Sequence, residues 1–204
     1  MKNILLCGLS CVALSLLPLH AQVQVSEGTL SLPAYEEGPP NPNPAFDQFA
    51  TTRFNYPYAL RDNLTQRRAE RAFRAVFLEN EYLKCTVLPD VGGHIYTCTD
   101  KINHVPMFYE NPTIKEAAIG MRGGWAAFGV EFNFPVSHNW MTVSPVDFAY
   151  GKESDGSASI TVSNIDRVYG MQWTVHLVLH PGSTVLEQQV TLNNRSDVRH
   201  RFDW

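Results

Sequence analysis

The sequence predicts an all-β domain, an antiparallel sandwich, on three observations. In MQWTVHLVL, Met171, Trp173, Val175, Leu177 and Leu179 alternate with Gln172, Thr174, His176 and Val178, the pattern of a strand with one buried face. Short apolar runs are separated by turn residues: Pro181-Gly182-Ser183 leads into the return strand TVLEQQVTLNN, and Asp155-Gly156 divides FAYGKESDGSASITVSNI. Helical periodicity is scarce. Short strands joined by Gly-rich turns cannot each bury a face alone, and two packed sheets resolve that.

Taken in order along the chain, MKNILLCGLSCVALSLLPLHA combines one Lys, an apolar run from Ile4 to Leu19 and a small residue at Ala21, the layout of a secretory signal peptide over residues 1–21. Export to the periplasm or the extracellular space is therefore expected. The remaining 204 − 21 = 183 residues carry 15 Lys and Arg against 20 Asp and Glu, a net charge near −5. That balance disfavours nucleic acid and anionic membrane surfaces as partners. Residues 22–44 read as a Pro-rich arm or linker, because EEGPPNPNP holds four prolines in nine positions and cannot sustain a helix or interior strand. The folded domain is expected from Ala45 to Trp204.

Within that domain TQRRAERAFRAVFLENEYL spaces Ala69, Ala72, Phe73, Val76 and Phe77 as a helix face, with Thr65 as N-cap. Residues 82–88 and 94–99 read as a hairpin that places Cys85 and Cys98 at similar distances from its turn. Once the leader is removed these are the two remaining cysteines. They fit either one disulfide bridge or two small buried side chains.

The chemistry-bearing stretch is GGWAAFGVEFNFPVSHNW, residues 123–140. Aromatic faces beside a few fixed polar groups suit a sugar ring, whose C–H face stacks on π systems while its hydroxyls need paired donors and acceptors. The indoles of Trp125 and Trp140 offer stacking planes. Glu131 lies between Val130 and Phe132 in a run depleted of charge, an environment that suits either acid/base work or a structural hydrogen bond at a bend. His138 is the candidate complementary acid, and Arg122 the charge that orients a substrate. His176 and His180 lie roughly 13 Å apart along one strand, too far to share a metal ion. His94 and His104 have no partner at ligand spacing, so no transition metal and no cofactor is expected, with a calcium ion at the sugar site left open. GxSxG elbows, phosphate-binding loops, Rossmann fingerprints and HExxH helices do not occur.

Taken together, AVFLENEYLKCTVLPDVGGHIYT, FYENP, RGGWAAFGVEFNFP, SPVDF, IDRVYGMQWTVHLVL and LEQQVTLNN resemble uncharacterised bacterial domains of the galactose mutarotase-like superfamily, often N-terminal to tetratricopeptide repeats. The resemblance runs from about Tyr56 to Trp204. It implies a β-supersandwich whose concave face binds carbohydrate, and a strand rather than a helix over residues 70–78. Carried onto this chain, it points to Asn111, Arg122, Trp125, Glu131, Asn133 and His138 as the polar and aromatic lining. The chain departs from the family pattern at Glu110, Phe132 and Ser137. In the superfamily's aldose-1-epimerases a His acid works with a Glu base on a late strand, and no residue here matches that Glu.

The fold of that superfamily needs roughly 250 residues, and HRFDW reads as the middle of a strand, so the sequence is expected to be an N-terminal fragment, incomplete at its C-terminus. The implied function is an exported carbohydrate-binding or carbohydrate-processing domain, epimerase-like or glycoside-processing when full length. The alternative is a noncatalytic sugar-binding or scaffolding module for downstream repeats of the same gene product.

Overall fold

The computed structural model describes residues 22–41 and 55–204; the expected signal peptide lies outside them. The first sheet has the order β1 (Gln24–Glu37), β2 (Leu64–Glu79), β3 (Leu83–Leu88), β4 (His94–Asp100) and β5 (Val105–Pro106). A two-stranded ribbon follows, β6 (Glu116–Gly120) with β7 (Gly123–Ala126). The second sheet has the order β11 (Leu186–Asn194), β10 (Met171–Leu179), β9 (Ala158–Ile165) and β8 (Asp147–Lys152). Neighbouring strands are antiparallel, and the described residues contain no helix.

Side-chain alternation builds the core. Met171, Trp173, Val175, Leu177 and Leu179 of β10 are at most 3 % exposed, so the predicted inward face is the buried one. They join Ala158, Ile160 and Val162 of β9 and, from the first sheet, Val76, Leu78, Cys85, Val87, Ile95 and Cys98 in one apolar cluster. The two sheets therefore pack face to face, as an all-β sandwich does. A second cluster covers the opposite face of the first sheet, where Phe73, Ala75, Leu88 and Tyr96 meet Ile114, Ala126, Phe128 and Val143. Asn80 ties the two sheets at one end: its Oδ1 accepts the Tyr82 and Leu83 N–H groups, and its Nδ2 donates to the carbonyls of His180 and Ser183.

Three expectations change. The helical spacing at 65–83 belongs to a strand, as the family resemblance implied. Phe73 and Ala75 face one apolar layer while Val76 and Leu78 face the other, and a strand buried on both sides produces an apolar run that also fits a helix. Thr65 caps no helix; its hydroxyl donates to the Glu36 carbonyl at 2.6 Å. Secondly, the arm assigned to residues 22–44 is largely β1, registered along β2 from Gln24↔Glu79 to Glu37↔Leu64, so the domain begins well before Ala45. Pro33 is tolerated there because β1 is the edge of the sheet, and the bridge that Ile114 makes to its outer side uses the Pro33 carbonyl and the Tyr35 N–H, not an N–H of residue 33. Thirdly, the HRFDW residues are not in a strand; Phe202 packs on Phe134 with ring centroids 5.4 Å apart, and Trp204 stacks on Phe132 at 6.0 Å.

Cys85 and Cys98 are directly opposite in the β3–β4 register and form a disulfide within the core. Of the two readings open for this pair, both hold at once, since the bridge is also fully buried. Closing a loop of 13 residues removes unfolded-state freedom, so replacing both cysteines by Ala should lower stability by about 3 kcal/mol. The check is the midpoint of urea unfolding, with reductant lowering the midpoint of the wild type and leaving that of the double variant in place.

Candidate functional site

The candidate site forms where residues 128–142 cross the first sheet. Gly129 adopts φ 49°, and a Cβ at this position would collide with the Ile95 carbonyl. Only glycine allows so close an approach. It lets Val130 exchange hydrogen bonds with Ile95, N–H to carbonyl at 2.9 Å and the reverse at 3.1 Å. Phe128 is thereby held in the second apolar cluster, with Glu131 just beyond the bridge.

Glu131 is the hub. Its Oε2 accepts from Trp125 Nε1 at 3.0 Å and meets His138 Nδ1 at 2.8 Å, while its Oε1 accepts the Thr142 hydroxyl. The Trp125 and His138 rings lie 5.0 Å apart, tilted by 57°, and together make an aromatic corner. The carboxylate is 13 % exposed and the imidazole 32 %, so water and ligands reach the histidine before the glutamate. His138 has φ 50°, a left-handed conformation uncommon for a residue with a Cβ, and its N–H donates to Asn133 Oδ1 at 2.9 Å. Asn133 therefore shapes the turn that presents His138.

Behind Glu131 lies His94, fully buried, tilted against the Phe128 ring at 4.7 Å and with Nε2 3.4 Å from the Thr142 hydroxyl. Burial pushes its pKa down to about 4, against the opposing influence of Glu131 and of the backbones of Phe128 and Thr142. The ring is neutral at physiological pH.

The other expected site residues are placed elsewhere. Trp140 is 2 % exposed, its Nε1 donating to Asn55 Oδ1 and its ring packed between Tyr58 and Tyr169, so it is a core residue and offers no stacking plane. Asn111 turns its amide inward, Nδ2 to the Ala127 carbonyl and Oδ1 to the Thr113 N–H, which makes it a turn-former. Arg122 joins a separate polar cluster with Arg61 and Ser144. Of the predicted residues, Trp125, Glu131 and His138 are brought together, with Asn133 in support. Thr142 and His94 were not anticipated: TVSP reads as an ordinary loop, and His94 is 37 residues upstream of Glu131 in sequence. Among the described residues no group of three or more His, Cys, Asp and Glu is placed to hold a metal ion.

Residues 51–204 match the family described as Domain of unknown function (DUF5107). The chain is also similar to the solved structure of a TPR-domain containing protein from Parabacteroides distasonis ATCC 8503, with 28 % identity and a TM-score of 0.75. The likeness covers 85 % of this chain and 29 % of that one, so the chain spans less than a third of that protein's length.

The buried His94 makes stability depend on pH. With a pKa near 6.5 unfolded and about 4 folded, the proton favours the unfolded chain. The stability tied to the neutral ring is present above pH 6.5 and falls away as pH drops toward 4, by about 3 kcal/mol at most. His94→Phe should flatten that part of the pH profile of the melting temperature; an unchanged slope would refute the assignment.

Proposed function

The chain belongs to the DUF5107 family, and on that premise we propose that it is a saccharide-binding domain of a larger exported protein. One observation carries this reading: two partly exposed rings, Trp125 and His138, are fixed at an angle by a single carboxylate that bonds both. A pinned indole supplies a flat apolar plane at low entropic cost, and a pinned imidazole supplies a polar edge beside it; a pyranose ring needs both. The sandwich architecture is compatible with a part of a galactose mutarotase-like supersandwich. The TPR-domain containing relative supports tandem repeats as the neighbouring module. Export rests on the leader-like residues 1–21 alone.

For chemistry, the reading assigns proton transfer to His138. Its Nδ1 is engaged by Glu131, and its Nε2 has no protein partner among the described residues. With Nδ1–H donated to Glu131, Nε2 carries the lone pair that accepts a proton from a sugar hydroxyl and later returns it, Glu131 stabilising the imidazolium between. Glu131 is then an orienting group and not the base. The second reading, noncatalytic binding, draws on the same geometry, because both Glu131 oxygens are occupied by protein donors.

Calorimetric titration of the chain against a panel of mono- and oligosaccharides tests recognition. Trp125→Ala should weaken binding by about tenfold or more, near 1.4 kcal/mol, without lowering the melting temperature in proportion; no binding across the panel by the wild type would remove the proposal. Catalysis has its own measurement. Exchange between α and β anomers, followed by proton NMR at saturating sugar, should be faster with the wild type than in buffer, and His138→Ala should return it to the buffer rate. An exchange rate equal to buffer for the wild type selects the noncatalytic reading.

A further inference from the structure

The β6–β7 ribbon separates Glu131 from a second polar cluster. Successive residues of a strand face opposite sides, and Gly124, next to Trp125, abuts the carboxylate of Glu116. Beyond Glu116 lies an open cleft of about 360 Å3, lined among others by Glu37, Arg61, Arg71, Asp90, Arg122 and Ser144.

Three guanidinium groups, Arg61, Arg71 and Arg122, line the cleft with two carboxylates, Glu37 and Asp90, and Glu116 is a third carboxylate, 3.5 Å from Arg61 NH2. Arg61 and Glu37 satisfy one another, with Nε 2.9 and 3.0 Å from the two carboxylate oxygens and a further bond from NH2. Arg122 has no carboxylate partner among the described residues. Its Nε donates to the Ala59 carbonyl at 2.8 Å, and its NH1 lies 3.2 Å from both the Trp140 carbonyl and Ser144 Oγ; all three acceptors are neutral. Arg61 NH1 bonds the same Ser144 Oγ at 2.8 Å, so two guanidinium groups converge on one hydroxyl. Burial, and then this neighbouring charge, hold the Arg122 pKa below the ordinary guanidinium value. Arg71 is exposed, makes no ion pair among the described residues, and rests 4.8 Å from the centre of the Phe73 ring. The remaining carboxylates are Asp90, whose Oδ2 already accepts the Arg74 N–H at 3.3 Å, and Glu116, whose Oε1 lies 3.5 Å from Arg61 NH2; neither makes an ion pair with Arg71 or Arg122 among the described residues.

We propose that this cleft binds an oxyanion group, a carboxylate or sulfate carried by a small ligand, with Arg122 and Arg71 as its cationic partners. With Arg122 Nε and NH1 engaged, its NH2 is left to donate to the anion, and the exposed Arg71 guanidinium supplies the paired N–H donors that match a carboxylate or sulfate. Arg122 is held ready by three fixed acceptors, so little freedom is lost when it binds. An anion placed beside it also relieves the approach of Arg61. The volume is enough for one acidic monosaccharide. The site is independent of the Trp125–His138 corner, and each can fail without the other.

The test uses the full chain at constant ionic strength, with sodium chloride as reference and sodium sulfate, sodium glucuronate and uncharged glucose as probes. Sulfate and glucuronate should raise the melting temperature along a saturating curve, and calorimetry should give the same midpoint. Arg71→Gln is the clean variant because its side chain is exposed; it should move the midpoint about tenfold or more toward higher concentration. A saturating response to glucuronate identifies an acidic sugar as the ligand class, and one to sulfate alone identifies a sulfate-bearing or free sulfate ligand. Either supports the proposal. A response that is linear, that matches chloride, or that Arg71→Gln leaves unchanged overturns it.

Discussion

Burial of the first sheet on both faces is the constraint from which the rest of the structure follows. Val76, Leu78, Cys85, Val87 and Ile95 face the second sheet, and Phe73, Ala75, Leu88 and Tyr96 face a layer made by the ribbon and by residues 128–143. A sheet covered on one side by another sheet and on the other by irregular chain must bring loop backbone close to strand backbone. The exchange of hydrogen bonds between Ile95 and Val130 does so, and Gly129 makes it possible by lacking a Cβ. The candidate site is thus a by-product of covering a face: the segment that seals Phe128 against the sheet also delivers Glu131.

From there a single carboxylate organises three pieces of chain. Trp125 arrives on the ribbon, His138 on a turn closed by Asn133, and Thr142 on the loop that also buries Trp140. Trp125 and His138 are both partly exposed, so packing restrains them on one side only and the carboxylate completes their placement. A carboxylate in this role loses water and gains charge-assisted hydrogen bonds, which are stronger than neutral ones. His94, neutral in the core behind Thr142, lets the carboxylate be approached from inside without a second charge.

The ribbon divides the polar groups into two neighbourhoods with different electrostatics. On one side a carboxylate accepts from an indole and a hydroxyl and meets an imidazole; on the other, Arg71 and Arg122 make no ion pair with a carboxylate among the described residues. The segment 142–144 serves both, with Thr142 bonded to Glu131 and Ser144 bonded to Arg61 and Arg122. Any displacement of that segment is felt in both places.

Elements whose pattern is local were readable from the residues. Met171 to Leu179 alternates with period two because one face of β10 is buried and the other is not, and the turns at Asp155-Gly156 and Pro181-Gly182 need residues that bend backbone. Trp125, Glu131 and His138, singled out from one short stretch, are also the side chains that meet in the fold. Whatever depended on a second layer was decided only by tertiary structure. β2 carries apolar residues on both faces, so its periodicity could not distinguish strand from helix; β1 reads as linker from the prolines of EEGPPNPNP, which lie beyond its end, because its pairing with β2 is not visible in the residues themselves. Trp140 and Trp125 are alike as sequence, yet one is sealed between Tyr58 and Tyr169 and the other is left partly open. The physical reason is the same in each case: sequence records how apolar a residue is, while its neighbours across the fold determine which of its faces they cover.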